Sequence, residues 1–270
     1  MTFSADALAG RVALITGGGS GIGFGIAKAF AAAGARLVLA SRSPERLDRA
    51  VKEIRETGGE VISVQADVRD PDAVAAAVKA ATDTYGSLDI LVANAAGNFV
   101  VPAAEMSPNA WKVVIDIDLN GTFFCARAAY PALKISKFGG RLIAISTTRA
   151  LEGWPGCAHA GAAKAGIMSL MRTLAGEWGV DGIRCNTIAP GAIGDTEGVK
   201  RIYVEEGRQE LELSSIPLGT FGKTSDIANA AVFLCSDAGA YITGADIVVD
   251  GGRNRSRAST GFAASKEVAQ

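Results

Sequence analysis

The sequence predicts an α/β protein in which one doubly wound, seven-stranded parallel sheet carries helices on both faces. Short runs rich in β-branched residues alternate along the chain with longer, alanine-rich runs of helical periodicity. The strand runs lack polar alternation, which is typical of parallel strands covered on both sides. A length of 270 residues with 49% hydrophobic residues suits one large domain.

Each predicted strand is a short apolar run bounded by turn-forming or polar residues. In chain order the seven strands are predicted at 11–16, 35–41, 60–67, 88–95, 140–147, 182–190 and 245–252. Because a helical run separates each strand from the next, the strands are expected to lie parallel.

The predicted helices are the alanine-rich runs between these strands. They are placed at 22–34, 44–58, 71–86, 107–134, 159–179 and 224–237. A charged stretch at about 194–215 interrupts this alternation and is predicted to be an inserted, mobile substrate loop. The domain is therefore assigned to residues 1–252, and 253–270 are expected to form a solvated tail.

Charge and composition favour small-molecule chemistry. A net charge of −1 and a pI near 6.0 give no general reason to expect binding to nucleic acid or to a membrane surface. The four cysteines are widely spaced, which predicts neither a disulfide framework nor a metal site. No segment approaches the ~20 apolar residues of a membrane span, and no signal peptide or SKL-type ending is recognised. We expect a cytoplasmic protein.

The first motif with a chemical meaning is TGGGSGIG, residues 16–23, which joins the first strand to the first helix. Gly17, Gly21 and Gly23 allow a tight turn, a close approach to a pyrophosphate and close packing of helix against strand. The helix N-terminus also attracts an anion. This context predicts a dinucleotide-binding Rossmann domain; a merely structural turn is the alternative.

The end of the second strand predicts which dinucleotide is bound. An NAD-selective protein usually places an acid there, whereas this chain has Ala40, Ser41 and Arg42. A guanidinium can pair with a 2′-phosphate, and no carboxylate repels it. NADP(H) is therefore the predicted cofactor. Arg42 as an ordinary solvated residue remains the alternative.

With these motifs the chain resembles the short-chain dehydrogenase/reductase family over residues 10–252. The matching pieces are TGGGSGIG, ADV with Asp67, NAAG at 94–97, AAKAG with Lys164, IRCNTIAPG and ITGADIVVDGG. The resemblance implies that Asp67 contacts the adenine and that Lys164 holds the nicotinamide ribose. It implies a cofactor site formed by Gly17, Gly19, Ser20, Gly21, Ile22, Ser41, Arg42, Asp67, Val68, Asn94, Ala95, Lys164, Pro190, Gly191 and Ile193.

The chain departs from that family at three of its four catalytic positions. The usual tyrosine falls at Ala160, the serine at Thr147 and the asparagine at Asp118, so only Lys164 is retained. This combination resembles the 2,4-dienoyl-CoA reductases, most closely the peroxisomal type. That resemblance implies that Asp118 acts in catalysis together with Lys164.

A related branch places its tyrosine fifteen residues before the lysine, where this chain has Arg149. A tyrosine mechanism is therefore not transferred from that branch.

Chemistry explains how a reductase can lack the tyrosine. Hydride addition to Cδ of a 2,4-dienoyl thioester spreads charge into a dienolate, whose oxygen needs hydrogen bonds more than a proton. Ala160 is then expected to leave room for the thioester. Lys164, Asp118 and Thr147 are the candidate catalytic residues, with Asp118 holding the water that protonates Cα.

Each candidate has a plainer interpretation. Asp118 can be a structural partner of Lys164, and Thr147 can simply end its strand. His159, the single histidine, is adjacent to Ala160 and not on the face of Lys164, so a structural role and a contact with substrate both stay open. Arg149, Lys200 and Arg201 can contact CoA phosphates or lie in solvent.

The predicted function is NADPH-dependent reduction of a 2,4-dienoyl-CoA to a 3-enoyl-CoA in unsaturated fatty-acid degradation. Two alternatives remain: another short-chain reductase, such as one acting on 3-ketoacyl thioesters, and a catalytically silent NADP-binding protein. The family resemblance also implies a homotetramer packed through the helices at about 107–133 and 156–179.

Overall fold

A computed structural model gives the fold of residues 3–200, 202, 205 and 207–254, and within these residues seven strands form one sheet. The order across it is β3-β2-β1-β4-β5-β6-β7, and each neighbouring pair is parallel. The predicted fold class is therefore confirmed. The strands are β1 (Val12–Thr16), β2 (Arg36–Ser41), β3 (Val61–Gln65), β4 (Ile90–Ala93), β5 (Arg141–Ile145), β6 (Arg184–Pro190) and β7 (Asp246–Val249).

Helices connect the strands and cover both faces of the sheet. Several begin at side-chain caps: Ser43, Asp70 and Ser107 each accept a hydrogen bond from a first-turn amide. The helices are α1 (Gly21–Ala32), α2 (Pro44–Glu56), α3 (Pro71–Tyr85), α4 (Pro108–Ile115), α5 (Gly121–Lys134), α6 (Arg149–Glu152), α7 (Ala158–Trp178), α8 (Glu197–Val199), α9 (Gln209–Ser214) and α10 (Thr224–Cys235).

The sheet separates two apolar cores. On one face Ile26 and Phe30 of α1 pack with Ile227 of α10 against the sheet. On the other face α3, α5 and α7 contribute residues such as Val74 and Ile167. Burying a side chain of this size stabilises the fold by about 1.5–3 kcal/mol. Both faces are covered, so the strands need no polar alternation.

The strand order places a crevice at the carboxyl ends of β1 and β4. From β1 the chain runs outward to β2 and β3, and then returns to β4 on the other side of β1. Connections leave these two strands in opposite directions, which opens the crevice where doubly wound folds bind ligands.

The helix predicted as continuous over 107–134 is divided in the structure. Between α4 and α5 the residues Asp116–Asn120 form a π-helical segment. A Cβ at Gly121 would lie 2.7 Å from Cγ2 of Val68, so the first turn of α5 approaches the loop after β3 closely. Segments of this kind are frequent at functional sites, and this one carries Asp118.

The sequence predicts a solvated tail from residue 253 onward, but residues 253 and 254 pack against the domain. Arg253 is 9% exposed, and the amide of Asn254 donates to Asp250 at 2.7 Å. The rest of the predicted tail, 255–270, lies outside the described residues, as does Arg201. The predicted loop at about 194–215 includes α8 and α9.

Candidate active site

The glycine-rich turn places the N-terminus of α1 at the crevice. Gly17 and Gly21 have φ of 66° and 55°, values that favour glycine. A Cβ at Gly23 would lie 2.5 Å from the Gly17 carbonyl oxygen and from Nδ2 of Asn94, so only glycine fits there. Ser20 is the N-cap residue of α1, but its side chain accepts no hydrogen bond from the amides of that helix. The turn is therefore a backbone cradle suited to an anion.

This turn borders a cleft of about 550 Å³ along the carboxyl ends of β1, β2 and β4. Ten of the residues predicted to bind cofactor line it: Gly17, Ser20, Gly21, Ile22, Ser41, Arg42, Asp67, Val68, Asn94 and Ala95.

Gly19, predicted to contact the cofactor, is not among the lining residues of this cleft. Its α-carbon faces α2 instead, where an added Cβ would lie 3.1 Å from Cβ of Arg46.

Three arginines line the cleft, together with the acidic residues Asp67, Asp195 and Glu197. Arg42 follows β2 as predicted, and Arg46 and Arg49 reach the same cleft from α2. Arg46 donates to Oγ of Ser20 at 3.4 Å and pairs with Glu197 at 3.1 Å. Sequence patterns did not single out these two residues, although their spacing of three on α2 places them on one face of that helix.

Asp67 occupies the far wall of the cleft in an ion pair. Two hydrogen bonds from Nε and one from Nη2 of Arg69 reach its carboxylate, the shortest being 2.6 Å. These bonds lower the pKa of Asp67 below 3.8. Together, the backbone cradle and the arginines fit a phosphate-bearing dinucleotide.

A second cavity of about 270 Å³ adjoins the cleft and shares Ile22, Asn94 and Thr196 with it. Thr147 and Lys164 line this cavity, and so do the predicted residues Pro190, Gly191 and Ile193. The remaining wall contains residues that the motifs did not indicate as a group: Asn98, Arg149, Trp154, Glu212 and Arg253.

Lys164 projects from α7 to the edge of β5 and β6. Its Nζ donates to the Ile145 carbonyl at 2.8 Å and lies 3.6 Å from Oδ2 of Asp118. Oγ of Ser146 donates to the Lys164 carbonyl at 3.1 Å. With only 7% of its surface exposed, the lysine is held in one place at the floor of the cavity.

Asp118 lies behind Lys164 rather than on the cavity wall. It is 1% exposed, and its Oδ1 accepts a hydrogen bond from the Gly97 amide at 2.8 Å. Burial raises the pKa of Asp118 above 3.8, opposed by the charge of Lys164 and the Gly97 bond. The π-helical segment carries Asp118, whose carboxylate contacts Lys164 and the Gly97 amide, so its predicted role of holding water at the substrate stays a prediction.

The room expected beside Ala160 is absent. Ala160 is 2% exposed and packs with Val114, Cys157 and Trp154. Since neighbouring apolar groups fill the space a tyrosine ring would need, the cavity opens beside Thr147 instead.

His159 is fully buried next to this cluster. Its Nδ1 accepts a hydrogen bond from the Ala160 amide at 2.7 Å, and Phe99 packs edge-on with ring centroids 4.5 Å apart. Burial lowers the pKa of His159 below 6.5, so the ring is neutral near pH 7. It does not line the cavity.

The described residues contain neither a cluster of metal ligands nor a membrane-spanning helix. No group of three or more His, Cys, Asp or Glu residues there could hold a metal ion. No helix in this part of the chain is long and apolar enough to cross a membrane. All four cysteines are buried and unpaired, and burial raises the pKa of Cys125 and Cys235 to about 12.

Comparison with known proteins places this geometry among reductases. Residues 17–254 match a family described as enoyl-(acyl carrier protein) reductase. A probable (2E)-enoyl-CoA-producing 2,4-dienoyl-CoA reductase of Bacillus subtilis is 43% identical, covering 90% of this chain and 96% of its own. A peroxisomal (3E)-enoyl-CoA-producing 2,4-dienoyl-CoA reductase of Danio rerio is 42% identical, covering 93% and 83%.

Solved structures agree with the fold. One such structure comes from Sinorhizobium meliloti and carries a provisional description as a short-chain alcohol dehydrogenase. It superposes on this chain with a TM-score of 0.88 at 40% identity, covering 93% of this chain and 98% of that one. A short-chain dehydrogenase of Bacillus anthracis gives 0.82 at 42% identity, covering 90% and 96%.

Proposed function

Because the chain belongs to the short-chain dehydrogenase/reductase family, we propose that it is an NADPH-dependent 2,4-dienoyl-CoA reductase acting in unsaturated fatty-acid degradation. The chain is an oxidoreductase with a nicotinamide cofactor; the choice of NADPH, the acyl-CoA substrate and the pathway form the proposal.

One observation carries the proposal: the site retains a buried, positioned lysine without a tyrosine four residues before it. Lys164 is fixed by Ile145 and Asp118, while Ala160 has no acidic group and is packed away from the cavity. A ketone reductase benefits from an acid at the alkoxide oxygen, typically by ~10²- to 10⁴-fold. An enzyme that makes a delocalised dienolate depends less on such an acid.

When bound, the nicotinamide cofactor supplies the hydride that adds at Cδ of the dienoyl thioester. The developing charge moves through the conjugated system to the thioester oxygen, where hydrogen-bond donors stabilise it. Thr147 and Asn98 line the cavity and carry the donors we assign to this oxygen. Lys164 orients the nicotinamide ribose, and Asp118 acts through Lys164 as a positioning residue.

The dienolate is then protonated, and the carbon that takes the proton sets the product. Protonation at Cα gives a 3-enoyl thioester, and protonation at Cγ gives a 2-enoyl thioester. The names of the two relatives differ in this respect. Neither Asp118 nor His159 reaches the cavity, so we assign the proton to solvent entering beside Thr147 and expect the Cα product.

NADPH oxidation with 2,4-hexadienoyl-CoA tests the proposal, with acetoacetyl-CoA as the comparison substrate. We expect turnover of the dienoyl thioester and little of the ketone, and a 3-enoyl product by NMR. Turnover of the ketone alone would identify a 3-ketoacyl thioester reductase. Cofactor binding without turnover of either substrate would identify a silent NADP-binding protein.

A further inference from the structure

Four charged side chains form a connected cluster, and three of them, Arg149, Glu212 and Arg253, line the Lys164 cavity. We call Arg149, Glu152, Glu212 and Arg253 the arginine–glutamate cluster. Nη2 of Arg149 contacts both carboxylate oxygens of Glu212 at 3.0 and 2.8 Å, and Nε of Arg253 lies 2.8 Å from Oε1 of Glu212. Nη1 of Arg253 also binds Glu152. One glutamate therefore joins two arginines that come from distant parts of the chain.

Glu212 is also the anchor of α9. It is the buried residue of that helix, with 7% of its surface exposed, whereas its neighbour Leu211 is 73% exposed. Helices usually attach to a domain through an apolar stripe. Here the buried residue of the helix is a carboxylate, and both of the arginines that pair with it lie outside α9.

The cluster is connected to the candidate catalytic residues through the start of α6. The backbone amide of Arg149 donates to Oγ1 of Thr147 at 3.3 Å, and both residues line the cavity. Displacing Arg149 therefore changes the wall next to the hydroxyl assigned to the thioester oxygen. Side chains that meet in one buried network couple strongly when one is removed.

We propose that Glu212 is a positioning residue that determines affinity for the acyl thioester. By binding Arg149 and Arg253 together, it joins α9, α6 and the chain after β7 into one wall of the substrate cavity. This inference deepens the proposed function and rests on it for the identity of the substrate. The cofactor cleft is not part of the wall, because no cluster residue lines it.

The test is Glu212→Gln, which keeps the shape of the side chain and removes its charge. We expect the KM for 2,4-hexadienoyl-CoA to rise about 10-fold or more, with kcat and the Kd of NADPH changing by less than about threefold. Glu210→Gln is the matched control, since Glu210 lies exposed on the same helix. It should leave all three constants unchanged.

A purely structural role predicts a different pattern. In that case the midpoint of thermal unfolding falls while the KM of the folded enzyme stays unchanged, and this result would overturn the proposal. Equal effects of Glu212→Gln and Glu210→Gln would overturn it as well. Should Glu212→Gln not fold, Glu212→Asp retains the charge on a shorter stem, and we expect it to raise the KM by a smaller factor; an unchanged KM there also counts against the proposal.

A second measurement separates this inference from the proposed function. Hydrogen exchange of the α9 amides requires no substrate, and Glu212→Gln should speed it about 10-fold or more relative to Glu210→Gln. If the parent protein does not reduce dienoyl thioesters but Glu212→Gln speeds the exchange of the α9 amides, the proposed substrate is wrong, whereas the role of Glu212 in holding α9 is supported. Unchanged exchange in α9 rejects the anchor whatever the substrate.

Discussion

Asp118 shows at the residue scale how burial and pairing oppose each other in this site. Its carboxylate is 1% exposed, and it contacts one cation, Lys164, at 3.6 Å among the described residues. Desolvation dominates its electrostatics and raises its pKa. The ionised carboxylate is therefore retained at a cost in stability, and holding Lys164 is the benefit that we assign to it.

Asp118→Asn should reveal this cost in the pH dependence of unfolding. A carboxyl with a raised folded-state pKa stabilises the fold most below its unfolded value, and that stability is lost as the pH rises through the folded value. We therefore expect the stability of the parent relative to Asp118→Asn to fall as the pH rises above the usual aspartate pKa of 3.8, by about 1.4 kcal/mol per unit of pKa shift. Urea unfolding of both proteins at several pH values measures this difference in unfolding free energy. A difference that grows with pH would contradict the raised pKa.

Arg42→Ala should change cofactor preference. A charge-assisted contact with a 2′-phosphate contributes roughly 1.5–3 kcal/mol, so we expect the Kd of NADPH to rise about 10-fold or more and that of NADH to stay within about twofold. Fluorescence titration gives both constants. Lys52→Ala is the control, because that lysine is exposed on α2, the helix that follows Arg42, and lies outside the cleft. Equal losses for the two cofactors would remove Arg42 from phosphate recognition.

Ala160→Tyr should not restore a missing acid. The ring would have to enter the cluster of Val114, Cys157 and Trp154, and overpacking of this kind costs about 1–3 kcal/mol. We expect a lower unfolding temperature and no gain in dienoyl-CoA or ketone turnover. Calorimetry measures the unfolding temperature, and the dienoyl-CoA and ketone assays measure turnover. A stable Ala160→Tyr protein with ketone reductase activity would show that the space beside residue 160 is open.

The residues that could be predicted are those whose function follows from local sequence. Glycines of the turn and Arg42 lie next to a strand end, so the sequence around them specifies where they point. Glu212 and Arg253 are separated by about 60 and 100 residues from Arg149 along the chain, and they meet only through tertiary folding. Neither spacing nor composition indicates such a contact.

At the scale of elements, the π-helical segment Asp116–Asn120 was not predictable from periodicity. Apolar residues recur through 107–134 at helical spacing, so the pattern indicates one continuous helix. The segment changes the direction of Asp118 without interrupting the helical pattern of the flanking residues. Strand positions were predicted more closely, because their apolar runs are buried on both faces.

The turn between β1 and α1 provides the prediction at this scale. Gly23→Ala would place a methyl group 2.5 Å from the Gly17 carbonyl oxygen. We expect this contact to move the turn, lower the unfolding temperature and raise the Kd of NADPH about 10-fold or more. In Gly179→Ala, where no atom lies within 4 Å of the added methyl group, stability should change by less than about 0.5 kcal/mol. Unaltered NADPH binding in Gly23→Ala would show that the turn can relax.

For the whole molecule we propose a homotetramer in which α4, α5 and α7 contact symmetry mates. Trp111 on α4 and Phe123 on α5 are each 42% exposed. Large apolar side chains exposed on adjacent helices are typical of surfaces that associate. The proposal therefore places these two side chains in the interface.

Light scattering at micromolar concentration tests the assembly. We expect the mass of a tetramer for the parent protein and a smaller species for Phe123→Arg, because the substitution buries an unpaired charge at the interface. Val180→Arg is the control, since Val180 is 90% exposed outside these helices and its substitution should leave the mass unchanged. A parent protein that is monomeric would reject the proposal.

The strand order has a consequence for folding during synthesis on the ribosome. β1 lies between β2 and β4 in the sheet, so it acquires both neighbours only after residue 93 has been synthesised. From that point the half-sheet β3-β2-β1-β4 can assemble, and with it most of the nucleotide cleft. The Lys164 cavity is lined by Lys164, Glu212 and Arg253, which are synthesised much later. During synthesis the nascent chain therefore gains the elements for holding its cofactor well before those for holding its substrate.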